Sequence, residues 1–351
     1  MDITEKIALV RKDPTEEIVT VGELTELFKT KSHPKHYIGL EISGFLHLGS
    51  LVLTGFKIND FIKARVKCIV FLADWHTFIN NKLGGDWDKI RSVSKYYANA
   101  FKLFCPGVEI IQGSDLYESK RDYWLELVKF AKHMSLERTM RSLTIMGRNA
   151  EKENIDLAQL LYPPMQAVDI HAMDLDIVHA GMDQRKIHML VRDLFPKMRW
   201  KVPVAIHHHI LPGLSAPEIN ENADHSSIGT KMSKSKSSSG IFIHDSDEEI
   251  NSKFKKAWCP EGIVKNNPLL EISKHLIFHE FNEINVERPT KFGGNVIYSS
   301  YLQLEKDFAE KKLHPSDLKE MVSRYIIKII KPVRKELVLT EDLSETIRKT
   351  T

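Results

Sequence analysis

Val66 to Ala73 is the stretch that most narrows what this chain can become. It reads Val-Lys-Cys-Ile-Val-Phe-Leu-Ala, apolar on successive positions rather than alternate ones. A strand of that pattern needs cover on both faces, which a parallel sheet flanked by helices supplies. It ends in Asp74-Trp75-His76, polar groups at the carboxyl end of a strand, where open α/β sheets hold their ligands. Its surroundings agree. His36 to Glu41 is a short strand with Gly39 inside it, a sign that another group comes close to the backbone. A helical pattern starts near His47 and runs through Leu51, Leu53, Phe56, Ile58 and Ile62. Asp86 to Phe104 is an amphipathic helix with Ile90, Val93, Tyr97 and Phe101 on its buried side. Val108 to Ile111 is a further strand. The alternation predicts a doubly wound, Rossmann-like parallel sheet of the α/β class.

The remainder is more mixed. Residues 1–30 read as a separate N-terminal segment of two short helices, the second beginning at the capping-like Thr20-Val21-Gly22-Glu23. About 117–155 the pattern is helical and highly charged, which reads equally as a helical hairpin inserted in the sheet that meets a partner or as simple surface helices. Ala158 to Met173 is a helix carrying Tyr162, Gln166 and Asp169 at spacings of four and three, hence on one face. That face reads equally as a buried site or as a satisfied hydrogen-bond network. Leu175 to Val178 is a strand, followed by Gly181-Met182-Asp183-Gln184. Val202 to Ile210 is another, containing His207, His208 and His209. Only His207 and His209 would share a face, with no Cys or carboxylate at ligand spacing, so no metal site is assigned. After a polar loop at 215–240 comes a short strand, Ile241 to Ile243. From Ser246 the chain reads all helical and ends in a charged helix with a loose tail. The composition shift near 245 divides a Rossmann-like domain at 31–244 from a helical C-terminal domain at 245–351.

Charge and cysteine content restrict the partners. The 351 residues carry 50 basic and 47 acidic side chains, a net charge of only +3. Nucleic acid, if bound, meets a local patch rather than a uniformly basic surface. The cysteines, at 68, 105 and 259, are odd in number and far apart, and read as reduced buried thiols of a cytosolic protein. The N-terminus is charged from its second residue, unlike a signal peptide, and no apolar run approaches the roughly 18 residues of a membrane span.

The polar loop carries Gly229-Thr230-Lys231-Met232-Ser233-Lys234-Ser235-Lys236. Three lysines among small hydroxyl residues read on composition as a solvated basic loop, or as a loop suited to a polyphosphate, since Lys is a mobile point charge and Ser a short-range donor. Together with His47-Leu48-Gly49-Ser50 at a predicted helix start, this resembles the paired motifs of the class I aminoacyl-tRNA synthetases, and most closely their tyrosyl group of the archaeal and eukaryotic kind. The resemblance covers about residues 35–335. It implies ATP-dependent activation of tyrosine and its transfer to tRNA(Tyr), with Mg²⁺ accompanying ATP, no tightly bound cofactor and a cytoplasmic homodimer. It further implies that Tyr37 and Asp169 hold the substrate phenol, while Tyr162, Gln166 and Gln184 surround its ammonium. Gly39, His47, Gly49, Ser50 and Asp183 would contact ATP, Asp183 on the ribose. Lys231 and Lys234 would act with His47 on the phosphates, and Phe292, His314 and Asp317 would hold the anticodon. Ser50 departs from the motif, whose last position is a histidine. The polar run before the lysines is longer than the few residues that motif calls for. Leu116-Tyr117 stands where the family pocket often carries other residues. The alternatives are a tryptophanyl-tRNA synthetase, against which the Tyr37 and Asp169 pair argues; a nucleotidylyltransferase, which lacks the helical domain and the lysine loop; and a non-catalytic RNA-binding relative, favoured by Ser50 alone.

Overall fold

The computed structural model describes residues 1–147, 155–217, 232 and 239–350. Its main sheet has six strands: β1 (Thr15–Val19), β2 (Lys35–Leu40), β3 (Lys67–Leu72), β4 (Glu109–Gln112), β5 (Ile177–Gly181) and β6 (Val204–His208). Their spatial order is β1-β6-β5-β2-β3-β4, and every pairing is parallel except that of β1 with β6. The expected doubly wound sheet is therefore present. The apolar run that predicted it lies between two parallel neighbours and is buried from Cys68 to Leu72. The chain leaves β2 towards β3 on one side and returns to β5 on the other. The crevice beyond the carboxyl ends of β2 and β5 is thus the switch point at which such sheets bind ligands.

Local signals set the helix starts. Asp2 with Glu5, Thr20 with Glu23 and Ser246 with Glu249 each form a reciprocal capping box. Asp86 accepts the amides of Asp88 and Lys89 and opens the helix Trp87–Phe104. The three described cysteines are buried and unbridged. Among the described residues no helix is long and apolar enough to cross a membrane.

Several expectations give way. Residues 1–30 are not wholly helical: Thr15–Val19 is a strand, because β6 offers it an open edge. The segment after 245 is not all helical either, since Ile284–Val286 and Val296–Tyr298 pair as a short antiparallel hairpin. Ile241 to Ile243 forms no strand; Phe242 makes a single bridge to His47. The C-terminus is a helix, Glu341–Thr350, packed against the helix Trp87–Phe104 instead of a loose tail. Contacts also divide the chain elsewhere than at the compositional break. One compact unit comprises residues 1–44, 57–209 and 339–351, and the other 45–56 and 210–338.

Candidate active site

In the first unit, the site gathers on β2 and on the helix Tyr162–Ala172. Pro163 and Pro164 occupy the first turn of that helix, where no intrahelical N–H is needed. Its one-face triplet points inward: Tyr162 and Asp169 are buried, and Gln166 is half-buried. Tyr37, on β2, is also buried. Gln166 stands beside the Tyr37 hydroxyl, and burial with the nearby Asp169 pushes the Tyr37 phenol well above its usual range. The Tyr162 hydroxyl donates to Glu41 Oε1 at 3.2 Å, which also receives Asn80 Nδ2 at 2.6 Å. Gln166 Nε2 meets Gln184 Oε1 at 3.4 Å, and Gln184 Nε2 donates to the Ile145 carbonyl at 2.9 Å. Tyr37, Tyr162, Gln166, Asp169 and Gln184 are thereby brought together. Gly39 lies on the same strand as Tyr37. A Cβ there would come 2.8 Å from the Tyr37 hydroxyl, which explains the glycine within the strand. Asp183 sits beside Gln184 in the turn Met182–Gln184 after β5, half-exposed.

Asp169 has neighbours that the sequence did not reveal. The Tyr123 hydroxyl lies 2.6 Å from its Oδ1, and His76 Nε2 lies 3.6 Å from its Oδ2. Burial pushes the Asp169 carboxyl up to about 8, against the hydrogen bond of Tyr123 and the polar hydroxyl of nearby Tyr117, which favour the carboxylate. Burial holds His76 down to about 3, so its ring is neutral near pH 7 and its approach to Asp169 is not an ion pair. Asp169 Oδ2, both nitrogens of His76, the Tyr117 hydroxyl and Gln166 Oε1 are all buried without a hydrogen bond among the described residues. Unpaired buried polar atoms are costly and rare, so their concentration in one place makes this a candidate site for a polar ligand. Asp74-Trp75-His76, at the carboxyl end of the apolar strand β3, is the sequence signal for His76. Nothing in the local pattern around Tyr123 set it apart from an ordinary buried aromatic.

In the second unit, His47 precedes the π-helical turn Leu48–Leu53 and caps it. Its Nδ1 accepts the amides of Gly49 and Ser50 at 3.1 and 3.4 Å, and its own N–H donates to Ser50 Oγ at 2.9 Å. A neutral His47 therefore carries its ring proton on Nε2. A Cβ at Gly49 would meet the His47 ring at 3.2 Å, so glycine keeps that imidazole in place. Lys231 and Lys234 lie outside the described residues. Between them, Met232 is buried, and its amide donates to the Leu211 carbonyl at 2.9 Å. His314, exposed, caps the helix Pro315–Glu336 by accepting the Ser316 amide, and Asp317 lies in its first turn. Phe292 ends the 3-10 turn Thr290–Phe292.

The histidine run finds partners within the fold. His207 Nδ1 meets Glu17 Oε2 at 2.8 Å and its Nε2 meets His188 Nδ1 at 3.0 Å; His208 Nδ1 meets His179 Nε2 at 2.7 Å; His209 meets Glu16. Both glutamates come from β1, a strand within the segment whose sequence predicts helix.

Comparison with known proteins places these features in context. Over residues 29–331 the chain matches the family described as tRNA synthetases class I (W and Y). It is 45% identical to a tyrosine–tRNA ligase of Thermococcus sibiricus, with 95% of each sequence covered. It resembles the crystal structure of a Pyrococcus horikoshii tyrosyl-tRNA synthetase complexed with L-tyrosine at a TM-score of 0.90 and 43% identity, covering 99% of this chain and 100% of that one. A tryptophanyl-tRNA synthetase of Plasmodium falciparum shares the fold at a TM-score of 0.68 and 15% identity, covering 98% of this chain and 89% of the other.

Proposed function

The chain belongs to the class I tRNA synthetases of the tryptophan and tyrosine type, and from that membership we infer that it is a tyrosine–tRNA ligase. It is an ATP-dependent enzyme whose partners are tyrosine, ATP and tRNA. The tyrosine carboxylate attacks the α-phosphate of ATP, forming tyrosyl-adenylate as pyrophosphate leaves. A terminal ribose hydroxyl of the tRNA then takes the tyrosyl group and releases AMP. The attacking carboxylate is already a nucleophile, so the first step needs no general base. Positioning and charge neutralisation supply the acceleration.

The observation that carries the choice of amino acid is the buried Asp169 Oδ2, which makes no hydrogen bond among the described residues beside Tyr37. An acceptor beside the Tyr37 hydroxyl calls for a substrate group that can both donate and accept, as a hydroxyl does and an indole N–H does not. In this reading Tyr37 and Asp169 hold the phenol, and Tyr162, Gln166 and Gln184 surround the ammonium. Phenylalanine would leave both phenol partners unsatisfied, which in a site of this kind is worth up to about 10⁵ in discrimination; the tyrosyl enzyme is the standard case of that principle. Gly39, Gly49, Ser50 and Asp183 contact ATP. His47, through its Nε2–H, and Lys231 and Lys234 neutralise the phosphates as they depart, and Mg²⁺ arrives with ATP as part of the substrate. Phe292, His314 and Asp317 meet the anticodon.

A homodimer is the proposed assembly, in the cytoplasm. Its support is the number of exposed apolar side chains on and beside the helical insertion, among them Trp124, Leu125, Val128, Leu136, Leu157 and Leu161. Light scattering at micromolar concentration tests it, and a monomer there would overturn it. The reaction itself is tested by ATP–pyrophosphate exchange with each of the twenty amino acids. Exchange with tyrosine alone is the expected result. Exchange with tryptophan would overturn the phenol assignment, and no exchange at all would leave only a non-catalytic role.

A further inference from the structure

We propose that Tyr123 is a positioning residue that makes Asp169 Oδ2 an obligate hydrogen-bond acceptor whichever protonation state the carboxyl holds. The proposal rests on the reading of the site as a tyrosine pocket and adds how that pocket enforces its choice.

The geometry gives Tyr123 two acceptors for one proton. Its hydroxyl lies 2.6 Å from Asp169 Oδ1 and 3.3 Å from the Met165 carbonyl. With Asp169 ionised, the hydroxyl donates to Oδ1, the shorter contact to the stronger acceptor. With Asp169 protonated, the acid proton sits on Oδ1 and donates to the Tyr123 oxygen, and the Tyr123 proton turns to Met165. In both states Oδ2 keeps its lone pairs and has no proton to give. The opposite arrangement, with the proton on Oδ2, lacks a comparable partner: His76 Nε2 is 3.6 Å away, beyond hydrogen-bond range. The Tyr123 ring is held for this task, lying 4.3 Å from that of Tyr117 and 5.3 Å from that of Trp124.

The other groups facing Asp169 do not replace Tyr123. His76 is neutral, Tyr117 makes no well-formed hydrogen bond, and Asp74, anchored to Ser114, acts on Asp169 only as a like charge at longer range. Tyr37 and Tyr162 are phenols that burial keeps protonated. The carboxyl titrates near 8, so both of its states are populated around neutral pH. Without the Tyr123 relay, the acid form would present a donor to the substrate hydroxyl for part of the time.

The test is tyrosine affinity of the full chain by titration calorimetry at pH 6.0, 7.0 and 8.5, with Tyr123→Phe alongside. The wild type is expected to vary by less than about twofold over this range. The variant is expected to bind about tenfold more weakly at pH 6.0 than at 8.5, the scale of one charge-assisted hydrogen bond. It should also lose part of its preference for tyrosine over phenylalanine in pyrophosphate exchange. A variant as flat in pH as the wild type would overturn the proposal, since a loss of packing alone weakens binding equally at every pH. The wild-type profile decides even if the variant fails to fold: a tenfold fall towards pH 6.0 would overturn the proposal by itself. A wild type that exchanges with some other amino acid and not tyrosine would instead overturn the tyrosine reading.

Discussion

Ser50 takes the backbone N–H of His47 on its hydroxyl at 2.9 Å, while His47 takes the Ser50 amide on its Nδ1. The two residues cap one helical turn reciprocally, and the imidazole is left with its proton on Nε2. Serine in place of the motif's last histidine thus has a structural use. Ser50→Ala should cost about 1 kcal/mol of stability, the usual scale of a lost cap. It should also raise the KM for ATP several-fold while leaving tyrosine affinity unchanged. Exchange kinetics with each substrate varied in turn will show this; an equal rise in both KM values would mean general damage.

Gly39 makes a second prediction. Because a Cβ would reach within 2.8 Å of the Tyr37 hydroxyl, Gly39→Ala must move that ring within its strand. The KM for tyrosine should rise about tenfold or more, since small displacements of a positioning group cost that much. Equilibrium tyrosine binding measures it, and an unchanged affinity would remove Tyr37 from the phenol contact.

Asp169 links the pocket to stability. Burial raises its pKa from the ordinary carboxylate range to about 8. Between those values the native state holds a proton that the unfolded state has released. Stability of the ligand-free protein therefore falls as pH rises through that window, and is lowest above about 8. Asp169→Asn removes the dependence. From pH 6 to pH 9 the wild type should lose roughly 3 kcal/mol more than the variant, read by denaturant unfolding. The same site predicts that Asp169→Ala abolishes tyrosine activation while ATP affinity holds.

Lys57 is a structural counterpart. It is fully buried, and its ammonium reaches the carbonyls of Leu9, Val10 and Lys12 at 3.0 to 3.1 Å and Asp60 Oδ2 at 3.2 Å. It fastens the C-terminal end of the helix Ile3–Arg11. Lys57→Met withdraws the cation from those carbonyls and from a buried carboxylate, and should destabilise the protein by about 3–5 kcal/mol. Replacing Asp60 by Leu in the same chain should recover part of the loss. Urea unfolding of the single and double variants checks both.

The pattern of side chains made much of this legible. β3 was evident because five successive buried positions leave little choice but a covered parallel strand. The triplet Tyr162, Gln166 and Asp169 was evident because spacings of four and three are those of one helix face. β1 was not. Thr15-Glu16-Glu17-Ile18-Val19 has too few apolar residues to announce a strand, and becomes one through β6, which follows it by about 190 residues. The three-residue strands near 285 and 297 were below any length at which alternation can be seen. The helix Glu341–Thr350 looked like a tail because its few apolar residues matter only against the helix it meets.

The sequence by itself determined the sheet, its helical cover and the shared face of Tyr162, Gln166 and Asp169, because each follows from local periodicity or spacing, while the other pocket assignments and the two nucleotide motifs rested on resemblance to a family. Only the tertiary structure decided which polar atoms in that pocket are paired and which are not. Tyr123 and Asp169 are 46 positions apart, as are no two residues that a local pattern can relate. Hydrogen bonds are made by atoms brought within 3 Å, whatever their separation along the chain. The acceptor presented to the substrate therefore exists only once the chain has closed around it.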